Sequence, residues 1–329
     1  MQAIVMDQFG GPEVLRLGEL PMPQPRPGTV VVQVAYAAVN PADWKIREGW
    51  LAVFFTPEFP FVPGFDAAGI VAAVGEGVTG LAVGDRVVTP GNQGMGERGS
   101  YAQYLLADAE RVIPLPASVS LRDAATLPTA GMTAWEAVFD VGQVKAGQRV
   151  LVNGGAGGTG SFAIQLAARA GARVAATCSP HNADYIRSLG AELAIDYRKG
   201  GVVAAVREWA PDGVDLIVDA VGQGSLLDGM EAVKNGGVIA PIATMIQNEP
   251  MPDPALAAAR GVRVVPTMST FPNQPRQLRA LVAGLADGSL RTPDITEMRL
   301  EHAAEAHRQI AAGHVRGKIV LSVAPALDR

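Results

Sequence analysis

The chain has 329 residues, 34.2 kDa, and a formal net charge of −5 at pH 7. That length exceeds one hydrophobic core and predicts two domains, while the mild acidity excludes a general attraction to nucleic acid or acidic membranes. A single cysteine, Cys178, excludes an internal disulfide framework and a four-cysteine zinc lobe. Met1–Met6 reads as a strand without a basic leader, and no apolar run reaches membrane-spanning length, so a cytoplasmic protein is expected.

The first third of the chain reads as strands and turns. Ala3 to Asp7, Val14 to Leu17 and the long apolar run Val30 to Val39 are predicted strands, separated by Gly10-Gly11-Pro12 and by the proline-rich Pro21 to Pro27. Val30 to Ala35 alternates too weakly for a surface strand, so a strand buried on both faces is expected. Asn40-Pro41 begins a short helix, with Asn40 as its cap and Pro41 at its first position. Ala67 to Val74, Gly84 to Val88 and Ser100 to Leu106 follow as strands, and turns at strand spacing predict an antiparallel barrel-like module.

From Ser120 the pattern changes. Leu121 to Pro128 and Thr133 to Phe139 are predicted helices, after which strands and helices alternate as in a doubly wound parallel sheet. The helices are Asp184–Leu189, Gly201–Ala210, Leu226–Val233 and Arg276–Ala286; the strands are Leu193–Asp196, Val214–Ala220, Val238–Ile242 and Gly261–Pro266. Ile295–Leu300, Glu301–Ala312 and Lys318–Val323 then read as strand, helix and strand.

The most informative stretch is Gln148 to Ser179. A short apolar strand runs into Gly155-Ala156-Gly157-Gly158-Thr159-Gly160, then a helix, then a second strand to Cys178. This is the dinucleotide fingerprint in its required context. Gly155 is expected to allow the turn, Gly157 to let the backbone approach a pyrophosphate, and Gly160 to let helix and strand pack closely. An NAD site wants an acid about 20 residues on, to hold the ribose hydroxyls. Here the second strand ends in Thr177-Cys178-Ser179-Pro180-His181-Asn182. With no carboxylate to repel a 2′-phosphate, NADP(H) is the expected cofactor, with Tyr197-Arg198-Lys199 at the next strand end.

Several ordered segments resemble the medium-chain dehydrogenase/reductase family, in particular its zinc-independent, zeta-crystallin-like quinone oxidoreductase and enone reductase branch. They are Asn40-Pro-Ala-Asp43 with Arg47 and Gly49, Pro63 to Gly69, Val83 to Val87, Gly131 to Ala134, Gly154 to Gly160, Leu189-Gly190-Ala191 and Arg316 to Leu321. The resemblance implies an α/β fold with a GroES-like barrel domain, 1–122 with 292–329, and a Rossmann domain, 123–291. It implies a zinc-free site, because the family's zinc ligand positions match Asn40 or Asp43 and Phe65-Asp66, and Phe65 cannot bind a metal. Asp66 is then expected to bond Arg86 or Lys45, and His307 to be a packing or surface residue.

The implied reaction is hydride transfer from NADPH to a small hydrophobic quinone or α,β-unsaturated carbonyl compound. Alternatives are a 2-enoyl thioester reductase and a weakly catalytic nucleotide-binding protein with a structural or RNA-interacting role; the absence of a basic stripe argues against the latter. By the same resemblance Asn40 and Trp44 are the catalytic residues, with Phe54 and Phe55 completing the acceptor site. Thr129, Thr133, Gly155 to Gly160, Cys178, Ser179, Asn182, Tyr197, Val221, Arg316 and Lys318 contact the cofactor. Relatives pair the strand Gly261–Pro266 across a two-fold axis, so a homodimer is expected, with Pro266 ending the ladder.

Overall fold

A computed structural model describes all residues except 51, 53–56, 92–97, 223, 226–227, 243–248 and 329. The chain forms two compact units, Met1–Thr129 with Phe271–Arg329, and Ala130–Thr270. The first unit begins with β1 (Gln2–Val5), β2 (Arg16–Glu19), β3 (Thr29–Val39), β4 (Asp66–Val74), β5 (Arg86–Pro90), β6 (Tyr104–Asp108) and β7 (Ile113–Pro114). The second contains β8 (Arg149–Asn153), β9 (Arg173–Cys178), β10 (Leu193–Asp196), β11 (Val214–Asp219), β12 (Val233–Pro241) and β13 (Arg263–Val264). The chain returns to the first unit through β14 (Ile295–Arg299) and β15 (Lys318–Ser322).

In the first unit β1 pairs with β2, and a seven-stranded sheet runs β14-β15-β3-β4-β5-β7, with β6 also on β3. β3 is the expected fully buried strand. It pairs with β4 from Val30 to Ala38, with β6 from Thr29 to Gln33, and with β15 from Tyr36 to Val39. One strand thus changes partner along its length, which is how an open sheet curls toward a barrel. Val30, Val32, Val71, Val87, Ala107 and Val112 fill the core beneath it.

In the second unit six parallel strands lie in the order β10-β9-β8-β11-β12-β13. The order reverses at β8, between β9 and β11, which opens a crevice at the carboxyl ends of those strands. Leu151, Ala175, Ile195, Val206, Ile217, Met230 and Ile239 are among the residues of its core.

Several elements differ from their sequence patterns. Among the described residues, the predicted helix Leu226–Val233 is a helix over Gly229–Ala232 and stops before Val233, because Val233 pairs with Val214 and opens β12; the shift in register that follows absorbs Asn235-Gly236-Gly237 into the strand. The predicted helices Leu121–Pro128 and Thr133–Phe139 join into a helical run with wide turns at Leu127–Gly131 and Glu136–Val141. Pro128, which has no N–H to donate, lies in the first of these. The predicted strand Gly261–Pro266 shrinks to Arg263–Val264, and within the sheet the backbone pairs again beyond Pro266, where Thr267 N–H donates to Pro241 O at 2.7 Å. The helix Gln274–Ala286, expected with the nucleotide domain, belongs to the first unit, where Arg111 donates to Gln274 Oε1 at 2.9 Å. Among the described residues no helix is long and apolar enough to cross a membrane.

Candidate active site

Three adjacent strand ends meet in the first unit. β3 stops at Val39, so Asn40 is the next residue; β4 begins at Asp66, opposite Ala38; β15 begins at Lys318, one residue before the Ile319–Val39 pair. Sheet register therefore gathers Asn40, Asp66 and Lys318, all buried. Lys318 Nζ donates to Asn40 Oδ1 at 2.5 Å and to Val39 O at 3.0 Å, and lies 3.8 Å from Asp66 Oδ2. Asn40 Nδ2 donates to Asp66 Oδ2 at 3.0 Å, leaving its second proton only a long 3.4 Å contact with Ala38 O. Asp66 Oδ1 accepts from the Thr129 N–H at 3.0 Å and the Thr129 hydroxyl at 2.5 Å. Burial pushes the Asp66 carboxyl up and the Lys318 ammonium down, and each charge is the main counterweight to the other's shift.

A second buried chain leads to the same helix start. Arg47 can only donate, so Nδ1 of His307, 3.3 Å from it, is the acceptor of a neutral ring. The ring proton then sits on Nε2, facing Tyr101 Oη at 3.3 Å, and the Tyr101 hydroxyl donates to Asp43 Oδ2 at 3.0 Å. The same carboxylate oxygen accepts the Asn40 backbone N–H at 2.8 Å, one half of a capping box that starts the helix Pro41–Arg47. Burial, then Arg47, lowers the His307 pKa to about 3; burial raises the Asp43 pKa to about 7 against the Asn40 and Tyr101 donors. The expectation that His307 is a packing or surface residue is met in its first form, with a hydrogen-bonding role added.

Other expectations need correction. Asp66 is not bonded to Arg86 or Lys45: Arg86 donates to Asp328 Oδ1 at 2.8 Å, and the Lys45 ammonium lies 5.5 Å from the Trp44 ring centre and 5.9 Å from that of Trp50. Trp44 itself meets Trp50 edge-on at 5.0 Å. The Thr129 hydroxyl is committed to Asp66, the Lys318 ammonium to Asn40 and Val39, and Arg316 pairs with Asp294 at 2.5 Å, so each has a partner within the first unit. Phe54 and Phe55 lie outside the described residues.

In the second unit the glycine loop follows β8. The left-handed turn belongs to Gly154, φ +79°, and not to Gly155, where a Cβ would meet Ala176 Cβ at 2.8 Å and Ile164 Cδ1 at 3.0 Å. Gly160 has its expected role, since a Cβ there would fall 2.2 Å from Gly154 O. At Gly157 the nearest atom to a Cβ would be 3.5 Å away, leaving the backbone open beside the start of the twelve-residue helix Gly158–Arg169. Thr133, Cys178, Ser179 and Asn182 are buried, while Tyr197 and Val221 are exposed. Asn182 Oδ1 is buried without a hydrogen-bond partner. The Asp196 carboxylate, opposite Cys178 in β10, accepts from the Arg198 N–H at 3.2 Å. These features fit a dinucleotide: open loop backbone, a helix N-terminus and an orphaned acceptor at the end of β9.

Sequence reasoning missed a polar network at that crevice. Thr177 Oγ1 donates to Asn153 Oδ1 at 2.6 Å and accepts the Gly154 N–H at 2.9 Å, while Asn153 Nδ2 donates to Asp219 Oδ1 at 2.8 Å. Asp219 Oδ1 also accepts the N–H groups of Val221 and Gly222 at 3.1 and 3.2 Å. A polar residue near the carboxyl end of each of three apolar strands was the available signal.

Residues 26–117 match the family described as Alcohol dehydrogenase GroES-like domain, and residues 189–321 that described as Zinc-binding dehydrogenase. The chain is 30% identical to the quinone oxidoreductase of Mus musculus, over 98% of this chain and 97% of that one. The chain belongs to the medium-chain dehydrogenase/reductase family. It is 36% identical to the chloroplastic NADPH-dependent alkenal/one oxidoreductase of Arabidopsis thaliana, over 73% of this chain and 61% of that one. The quinone oxidoreductase structure from Coxiella burnetii superposes with a TM-score of 0.88 at 32% identity, covering 98% and 99% of the two chains. The chain is therefore an oxidoreductase of a pyridine-nucleotide family with the fold of its relatives. The zinc of the family description does not fit the residues here. Phe65 offers no ligand atom, the Asn40 amide is engaged, and a lysine ammonium lies beside the Asp66 carboxylate.

Proposed function

We propose that the protein is a zinc-independent, NADPH-dependent reductase of quinones and α,β-unsaturated carbonyl compounds. The observation that carries this reading is the Lys318–Asn40–Asp66 cluster, a hydrogen-bonding group in place of a metal-ligand set; without a Lewis acid, unactivated ketones or alcohols would need a positioned general acid or base. When bound, the nicotinamide supplies a hydride. The acceptor must then be already polarised, with charge building on an oxygen that a donor stabilises. The second Asn40 Nδ2 proton, held only by the 3.4 Å contact, is the donor this chain offers. The Tyr101 hydroxyl is committed to Asp43, so solvent delivers the final proton. Trp44 lines the acceptor, and the printed names of the mouse and Arabidopsis relatives support the acceptor class.

The loop Gly154–Gly160 binds the pyrophosphate, and Ser179 and Asn182 receive the adenosine ribose. With Asp196 turned onto Arg198, no carboxylate guards the 2′-position. NADPH should bind at least tenfold more tightly than NADH, about 1.4 kcal/mol; calorimetric titration giving equal affinities would reject this preference. In a panel of acceptors followed by NADPH oxidation, quinones or enones should turn over, chelator should change nothing, and simple ketones should be inert. Turnover of simple alcohols that is lost on chelation would overturn the reading. The protein is further proposed to be cytoplasmic and a homodimer.

A further inference from the structure

We propose that Lys318 is a positioning residue that fixes the polarity of the Asn40 carboxamide, a role that rests on the hydride-transfer reading above. A carboxamide has nearly the same shape in either orientation, but its two ends have opposite chemistry. Lys318 has three N–H donors and no acceptor, and it meets Oδ1 at 2.5 Å; Asp66 meets Nδ2 at 3.0 Å. A flipped amide would set NH2 against the ammonium and oxygen against the carboxylate. Lys318 therefore acts twice. It holds the oxygen end directly, and its charge, 3.8 Å from Asp66 Oδ2, keeps that carboxylate ionised and so able only to accept. Without the ammonium, Asp66 takes up a proton and bonds either end of the amide, so the choice of which end meets an acceptor is lost. The other titratable groups facing Asp66 are Asp43, at the helix start, and Tyr101 behind it, and neither supplies positive charge.

The tests are Lys318→Met and Lys318→Gln. K318Q is neutral but still has an N–H for Asn40 Oδ1; K318M has neither charge nor donor. At pH 7, K318M should lose at least tenfold in kcat/KM, mostly in kcat, and the loss should shrink as pH rises, Asp66 ionises and again admits only the NH2 end. K318Q, which also lacks the ammonium, should lose less than K318M because it can still donate to Asn40 Oδ1, and should show the same recovery as pH rises. Equal losses in the two variants, at a pH-independent ratio to wild type, would mean a merely structural role and would overturn the proposal. With asparagine-selective ¹⁵N labelling, the Asn40 side-chain signals, assigned by their absence in N40A, should follow only the titration of Asp43, near pH 7, in wild type and show a second titration, that of Asp66, in K318M. Signals unaffected by K318M would also overturn it. If K318M does not fold, D66N/K318M removes the unpaired carboxylate, and it should show the K318M loss without the pH recovery; wild-type activity there overturns the proposal. Absence of wild-type turnover on every quinone and enone would reject the functional reading alone, because the NMR result does not depend on turnover.

Discussion

Asn40 shows how a local pattern and a tertiary setting assign one residue different duties. Its place before Pro41 marks a helix start, and the capping box with Asp43 agrees. The cap alone would make Asp an innocuous replacement. The Asp66 carboxylate, 3.0 Å from Nδ2, makes it a costly one. N40A leaves Lys318 and Asp66 each short of a buried partner, so it should lose about 1 to 3 kcal/mol of stability and about 2 to 4 kcal/mol of transition-state stabilisation. N40D adds a third buried carboxylate beside Asp43 and Asp66, whose raised pKa stabilises the fold only at low pH. Its urea midpoint should therefore fall from pH 6 to pH 8, and a midpoint that rises would contradict this account. The fingerprint glycines separate equally well. G160A drives a Cβ to 2.2 Å from Gly154 O and should destabilise the fold, whereas G157A, with 3.5 Å of room, should keep its melting temperature and lose NADPH affinity at least tenfold. Wild-type NADPH affinity in G157A would remove Gly157 from the phosphate site.

At the scale of elements, the chain from the helix Ala303–Ala311 to the helix Pro41–Arg47 carries a paired titration. Asp43 has a folded pKa of about 7 against 3.8, so its contribution is complete below about pH 4 and lost as pH rises to 7. His307 has a folded pKa of about 3 against 6.5, so its contribution is complete above 6.5 and lost as pH falls to 3. Between about pH 4 and 6.5 the folded pair holds one proton, on Asp43, and the unfolded pair also holds one, on His307. The two slopes cancel, at about 1.4 kcal/mol per pH unit each. H307Q should unmask a stability that falls with rising pH across this window, and D43N one that rises. Urea midpoints at pH 4.5, 5.5 and 6.5 decide it; slopes of the same sign in both variants would refute the pairing. None of this was legible in the sequence, where Tyr101 and His307 lie 206 residues apart. The glycine loop was legible because turn, helix start and strand end are contiguous. The Lys318–Asn40–Asp66 cluster was not, because only the register of β15, β3 and β4 brings it together. The helix expected at Leu226–Val233 stops before Val233 for the same reason: the pairing of Val233 with Val214 outweighs local helical spacing.

At the scale of the whole molecule, the outer strand β13 offers a route to assembly. β13 is the outer strand of the six-stranded sheet, and pairing continues past Pro266 to Thr267, so the edge is longer than its two-residue strand suggests. Exposed edges of this kind are usually covered, and a two-fold axis would cover both copies at once. Light scattering at micromolar concentration should give about twice 34.2 kDa; a particle of the single-chain mass would reject the dimer. The strand that completes the other unit has a consequence in time. β4 buries Asp66, but its cation stands on β15, roughly 250 residues later in the chain. At about 5 to 20 residues per second on the ribosome, the acid emerges tens of seconds before its lysine. Through that interval the nascent sheet must either keep Asp66 protonated or leave this corner open to water, so the site's electrostatics mature late in synthesis, well after the strands that frame Asp66 have been made.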